Sequence, residues 1–287
     1  MAIEQQRARL LVSCQDRPGV VANISSFLYN HEANIVQSDQ YSTDPEGGMF
    51  FMRIEFAWQE EKTAFSEIKQ AFSALANAEH YQWRMEQASR KKRMAIFVSK
   101  ENHCLSELLW KWRAGELYAE IPLVISNHPD NKEEVEAYGI PFFHIPSTKA
   151  NRREAEDKAI ELLQEHNIEL IVLARYMQIL SPTFVSTFPQ QIINIHHSFL
   201  PAFIGANPYA KAFERGVKLI GATAHYVTDD LDEGPIIEQD VLRVNHRHTT
   251  ADLRIAGRQI ERIALARAVN WHLNDQLLVH NNKTIVF

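Results

Sequence analysis

Residues 152–174 read RREAEDKAIELLQEHNIELIVLA. A charged amphipathic helix over Arg152–His166 runs straight into a strand over Ile168–Ala174 that is apolar at every position but Glu169, near its start. A strand with no polar side must be buried on both faces, which is the signature of a parallel sheet covered by helices. The same alternation extends in both directions. Upstream lie strands at Met94–Val98, Ile121–Ser126 and Pro141–Ile145, with helices at Leu105–Trp112 and Lys132–Tyr138, the latter closed by Gly139. Downstream lie strands at Ile192–His196, Leu219–Tyr226 and Pro235–Val244, then a long helix over Thr250–Leu273 with Thr250 as its expected cap. Residues 94–287 are therefore expected to form a Rossmann-like α/β domain with a mostly parallel sheet.

The first 86 residues follow a different rule. A β-rich run, Arg9–Ser13, meets the turn Gln15-Asp16-Arg17-Pro18-Gly19 and then a helical stripe of Val20, Val21, Ile24, Phe27 and Leu28. Asn34–Tyr41 alternates as a strand, Glu46-Gly47-Gly48 marks a hairpin, and Met49–Phe56 returns. Lys62–Leu75 reads as a second helix and Tyr81–Met85 as a last strand. The order βαββαβ predicts a ferredoxin-like domain. Between the two lies Gln87–Arg93 (QASRKKR), small, polar and basic, as expected of an exposed linker.

Composition narrows the function. The chain has 287 residues, 45% of them hydrophobic, with 30 Lys+Arg against 36 Asp+Glu and a formal charge of −6. Two folded domains are expected. An acidic balance argues against nucleic acid or an anionic membrane as the main partner. Cys14 and Cys104 are far apart and have no CxxC spacing, so a reducing compartment is expected. No apolar run approaches membrane-span length, and the N-terminus turns polar too soon for a secretory leader, so a cytoplasmic location is expected.

In open α/β sheets ligands gather beyond the carboxyl ends of the strands. That rule selects the segment from Asn194 to Pro201 and the loop Asp229–Pro235. Asn194 and His196 are two apart in a strand and share a face. An amide, an imidazole and the Asp232 carboxylate are thus expected to converge. His196, His197, His225 and Asp232 are also potential metal ligands, but no spacing fixes a ligand pair, and no metal is expected.

These residues carry a resemblance. Asn194-Ile195-His196, then Ser198-x-Leu200-Pro201, then His225-Tyr226-Val227-Thr228-x-x-Leu231-Asp232-x-Gly234-Pro235 resembles the signature of formyltransferases that use 10-formyltetrahydrofolate. Leu173–Pro182 (LARYMQILSP) resembles that family's folate-side loop. Residues 8–85, with Asp16-Arg17-Pro18-Gly19-Val20 at the helix entry, resemble an ACT domain, a small regulatory module. The combination is similar to the formyltetrahydrofolate deformylase family, and so is the stretch from His196 to Ala206.

The resemblance implies an oxyanion donor in Asn194, a charge-assisted donor in His196, and a base in Asp232 that acts on water directly or through another water. It implies folate contacts from Arg175, Tyr176, Met177, Ile179, His225 and Gly205. It implies no cofactor beyond the folate substrate, and a homo-oligomer, dimer or tetramer, that binds a small amino acid near Asp16, Asn23 and Asn34. Formate for purine biosynthesis and a balanced one-carbon folate pool are the implied physiological outputs. Two positions depart from the family pattern: Asn207 where a basic residue is usual, and Ala210 where a His is common.

Transferase and hydrolase share this fold, so the site must separate them. A phosphorylated acceptor needs a glycine-rich loop after the first strand of the domain, where backbone N–H groups bind phosphate. Here Val98–Leu105 reads VSKENHCL, which has no glycine and adds Glu101. Without a phosphorylated acceptor, water is the expected nucleophile. A formyltransferase with an unphosphorylated or sugar-nucleotide acceptor is the competing reading, and an inactive folate- or amino-acid-binding regulator is a third.

Overall fold

The structure is a computed structural model that describes residues 6–44, 46–201 and 208–287. It divides into two compact units. The first contains β1 (Gln6–Gln15), α1 (Val20–Asn30), β2 (Asn34–Ser42), β3 (Met49–Trp58), α2 (Phe65–Glu79) and β4 (Gln82–Gln87). Its antiparallel sheet has the order β2-β3-β1-β4. One face is apolar at every second residue of β1 (Ala8, Leu10, Val12, Cys14) and packs under Ile24, Leu28, Ile68 and Phe72 of the two helices. This is the expected ferredoxin-like arrangement.

Helix α2 starts three residues after the expected Lys62, at Phe65, the first member of its apolar stripe. Lys62 and Thr63 bond back to the Gln59 carbonyl, and Glu60 accepts the Phe65 amide, so the helix begins at Phe65. Residues 274–278 and 285–287, from the far end of the chain, also group with this unit. Arg53, only 3% exposed, donates to the backbone carbonyls of Asn274 and Asp275.

The second unit contains β5 (Lys92–Val98), α3 (His103–Arg113), β6 (Ala119–Ser126), α4 (Lys132–Glu136), β7 (Phe142–His144), α5 (Arg152–Glu165), β8 (Leu170–Ala174), α6 (Pro182–Thr187), β9 (Ile192–His196), α7 (Pro208–Arg215), β10 (Leu219–Tyr226), β11 (Ile236–Arg243) and α8 (Thr250–Leu273). A terminal hairpin of β12 (Leu277–His280) and β13 (Lys283–Val286) follows. The sheet order is β11-β10-β9-β8-β5-β6-β7. Its strands from β9 to β7 pair in parallel, while β10 and β11 are antiparallel. Helix α8 packs on β9, β10 and β11.

Two local readings are corrected. The run Gln87–Arg93 is not wholly an exposed connection: Gln87 closes β4 and Lys92 opens β5. The Lys92 ammonium donates to the His272 carbonyl, and Arg93 bonds the His166 carbonyl and Glu120, so part of that basic run serves strand packing. The cap of α8 is Thr249, not Thr250. Thr249 and Asp252 satisfy each other's backbone amides in a capping box. Helices α6 and α7 and the terminal hairpin had no clear periodic signal, because each is too short to show a repeat. Among the described residues no helix is long and apolar enough to cross a membrane.

Candidate active site

Strand order reverses between β5 and β8, so the loops leaving these strands diverge and open a crevice. A cavity of about 580 Å³ lies there, lined by both loops, by the end of β9 and by the loop after β10. Asn194, His196, His225 and Asp232 line one part of it. Arg175, Tyr176, Met177 and Ile179 line another.

Antiparallel register sets the first group. Asn194 of β9 lies opposite His225 of β10, and His196 lies opposite Thr223. The His225 Nδ1 bonds the Tyr226 carbonyl at 2.9 Å, which requires the proton on Nδ1. In the neutral ring Nε2 is then an acceptor, and the Asn194 amide donates to it at 3.3 Å. One amide hydrogen of Asn194 is thereby used to orient the other. Thr223 receives the Leu200 backbone N–H and donates to the Ser198 carbonyl, which pins the chain as it leaves β9.

Asp232 has φ +58, the left-handed region. Two residues on, a Cβ at Gly234 would lie 1.9 Å from the Tyr226 carbonyl oxygen, so only glycine lets the loop lie this close to β10. The loop delivers the Asp232 carboxylate 3.1 Å from His196 Nδ1 and 3.6 Å from His225 Nε2. Burial pushes this carboxyl up, but the His196 hydrogen bond and the two imidazoles beside it outweigh that, and the group sits well below the usual carboxylate range. Among the described residues, His196 Nε2 is buried without a hydrogen-bond partner. The His197 ring stacks on His196 with centroids 5.2 Å apart, and burial, together with the Arg175 charge, lowers its pKa to about 4.

The loop after β8 is apolar and open. Met177 and Ile179 are 57% and 59% exposed, so they are cavity wall rather than core. The Met177 amide is held by buried Ser99, which also bonds Asn127. Tyr176 packs edge-on against Phe97, and burial raises its phenol to about 12. Arg175 turns its side chain away from this wall, toward Glu101 and Glu261. Gly205 and Asn207 lie outside the described residues, whereas Ala210 lines the cavity.

Sequence reading missed Glu261, Tyr209, His103, Arg254 and Arg258. Glu261 falls on the apolar stripe of α8, with Gly257, Ile260, Ala264 and Leu265. A carboxylate on a buried stripe is the signal that would have found it. His103, Cys104 and Glu261 place potential ligand atoms within 4.8 Å of one another. They do not suit a cation: the Arg175 Nε lies 3.5 Å from Glu261, and burial keeps the Cys104 thiol protonated.

In the first unit, Asp16 accepts a hydrogen bond from Ser42, and Asn23 is exposed on α1. Asn34 pairs with Ala57, which also faces Arg7 at the start of β1, whereas Asp16 follows the end of β1. Within one chain, Asn34 and Asp16 therefore lie at opposite ends of the sheet.

A doubly wound sheet whose crevice holds Asn, His and Asp, in a chain that also carries an antiparallel βαββαβ module, defines a formyltransferase-fold protein with an ACT domain. The family model for formyl transferase matches residues 92–269, and that for the ACT domain matches residues 8–72. A formyltetrahydrofolate deformylase of Bacillus subtilis (strain 168) is 58% identical over 99% of this chain and 94% of its own. One from Mycobacterium bovis is 53% identical over 97% and 90%. The chain belongs to the formyltetrahydrofolate deformylase family. A crystal structure of such a protein from Pseudomonas syringae superposes with a TM-score of 0.94 at 44% identity, covering 99% of this chain and 95% of that one. A glycinamide ribonucleotide transformylase from Symbiobacterium toebii superposes with a TM-score of 0.65 at 29% identity, over 69% of this chain and 94% of that one.

Proposed function

We propose that this chain hydrolyses 10-formyltetrahydrofolate to formate and tetrahydrofolate. The observation that carries the reading is a single carboxylate, Asp232, facing two imidazoles in the cavity that also holds the Asn194 amide. Met177 and Ile179 offer an apolar wall for the pterin, with backbone groups of the same loop for its polar edge.

Water held by Asp232 attacks the formyl carbon, and the water proton passes to the carboxylate. The carbonyl oxygen becomes an oxyanion, which the Asn194 N–H and the His196 imidazole stabilise. A carboxylate this weakly basic does not keep the proton. It passes on to the departing N10 nitrogen, the stronger base, as the C–N10 bond breaks. Formate and tetrahydrofolate leave, and no redox cofactor or metal is required by the chemistry. His225 is a positioning residue, since it meets both Asn194 and Asp232.

Formate release from 10-formyltetrahydrofolate without any added acceptor tests this. His196→Ala is expected to lose about 10²–10³ in kcat while remaining folded. No formate from the native chain, or full turnover by the variant, would reject the assignment. The remaining parts of the reading are an ACT module over residues 1–86, a catalytic domain over 94–287, a cytoplasmic homo-oligomer, and formate output feeding purine synthesis. Asp16, Asn23 and Asn34 are its effector residues. Because Asn34 and Asp16 are separated within one chain, a shared effector site requires two subunits.

A further inference from the structure

The part of the cavity away from Asp232 is lined by an ion network that the hydrolytic reading does not use. Arg175 leaves β8 with φ +63, a left-handed conformation that costs a non-glycine residue of order 1 kcal/mol. An outlier of this kind at a cavity wall is retained where its side chain is needed. Its guanidinium is 11% exposed, 3.5 Å from Glu261 and 3.6 Å from Glu101. Glu261 is 1% exposed and accepts hydrogen bonds from His103 at 2.8 Å and Tyr209 at 2.7 Å. Burial pushes its carboxyl up, but these partners and Arg175 bring it down to about 2, so it is a fixed anion. Arg258 lies 3.7 Å from Glu101 on the outer side. Glu101, Arg175, Tyr209, Arg258 and Glu261 all line the cavity of Asn194, His196 and Asp232. His197 joins the two parts, stacked on His196 and with its ring centroid 6.2 Å from that of Tyr209.

We infer that the Glu101–Arg175–Glu261 network determines reaction specificity: it fills the space in which an amine acceptor would approach the formyl carbon, and leaves water as the nucleophile. This rests on the hydrolytic reading above. A second substrate would have to draw Arg175 away from two carboxylates, of which Glu261 is buried and Glu101 half exposed, at a cost of several kcal/mol for the buried pair. An anionic acceptor would also meet two carboxylates. Water displaces nothing. The loop between β5 and α3 supports the same division of labour, because it spends its length on Glu101 rather than on glycines that would cradle phosphate.

Transfer to an amine needs no further reactant. The C–N10 bond breaks, a C–N bond forms to the acceptor, and the acceptor's proton passes to N10. The test supplies 10-formyltetrahydrofolate to the full-length native chain, Arg175→Gly, Glu101→Gly and Glu101→Gln, with hydroxylamine or glycinamide as acceptor. The ratio of formylated amine to formate is read by mass spectrometry, and this ratio does not depend on the total rate. Gly at position 175 accepts the left-handed backbone without strain, and Glu101 lies on a half-exposed loop, so at least one variant tests the idea in a folded chain. The native ratio is expected to match the enzyme-free background, and the two glycine variants to exceed it by at least about tenfold. Glu101→Gln keeps the bulk and should shift the ratio less. Formate release by the native chain with unchanged ratios in both glycine variants would overturn this inference alone. No formate from the native chain would overturn the hydrolytic reading and this inference together.

Discussion

At the strand-built part of the cavity, one half-buried carboxylate faces two imidazoles, and His196 Nε2 has no hydrogen-bond partner among the described residues. At the helix-built part, one fully buried carboxylate meets an imidazole, a phenol and a guanidinium at once. The first arrangement keeps hydrogen-bonding capacity for a substrate. In the second the carboxylate's capacity is used within the chain. The two carboxylates in one cavity are thus told apart by their partners among the described residues. Asp232 faces only imidazoles and keeps room for a substrate, whereas Glu261 is held by a phenol, an imidazole and the Arg175 charge, whose Nε makes an ion pair and no hydrogen bond, and is fit to hold shape.

The sharpest way to break this contrast is at Asp232. Asp232→Asn is expected to lower kcat/KM by about 10²–10⁴ with an unchanged circular dichroism spectrum. Gly234→Ala should follow it in direction, since the added Cβ meets the Tyr226 carbonyl and shifts the loop. Native turnover by the Asp232→Asn variant would place the chemistry elsewhere.

Glu261→Ala should act on stability instead. Removing the shared acceptor leaves Arg175, His103 and Tyr209 with buried unpaired groups, at about 3–5 kcal/mol in urea denaturation. A loss under about 1 kcal/mol would mean that the network is not structural.

Acid should separate the two parts by window. His197 has its folded pKa lowered to about 4 from an ordinary 6.5, so the unfolded chain binds its proton first, and stability falls as pH drops from 6.5 toward 4. Glu261 is lowered to about 2 from 4.5, so its contribution is present above 4.5 and is lost as pH drops toward 2. Each step should amount to about 3 kcal/mol. Thermal melts across pH should show His197→Gln flattening the upper window and Glu261→Gln the lower. Identical profiles for the two variants would dissolve the distinction. The smallest effect is expected at Arg258→Ala. Its ion pair with Glu101 is half exposed, and the melting shift should correspond to less than about 1 kcal/mol.

Much of this is legible in the chain alone. Apolar runs such as Leu170–Ala174 and the stripe Ile24–Leu28 specify strand and helix through periodicity, a local property. Asn194 and His196 share a face because strand geometry alternates. Arg175 is less readable. Sequence places it on the folate-side loop, but its left-handed backbone turns the guanidinium toward Glu101 and Glu261. Glu261 looks like one polar residue among several on a long helix, since its partners His103 and Tyr209 lie 158 and 52 residues away.

The chain by itself determined its two βα patterns, the convergence of an amide, an imidazole and a carboxylate beyond a sheet edge, and the missing glycines of a phosphate cradle. Only the tertiary structure decided which imidazoles meet Asp232, that His225 orients Asn194, and that Glu261 closes a network with Arg175. The physical reason is range. Periodicity and turn chemistry act over a few residues, whereas a charge's partner is whichever group the packed sheet and helices bring within about 3–4 Å.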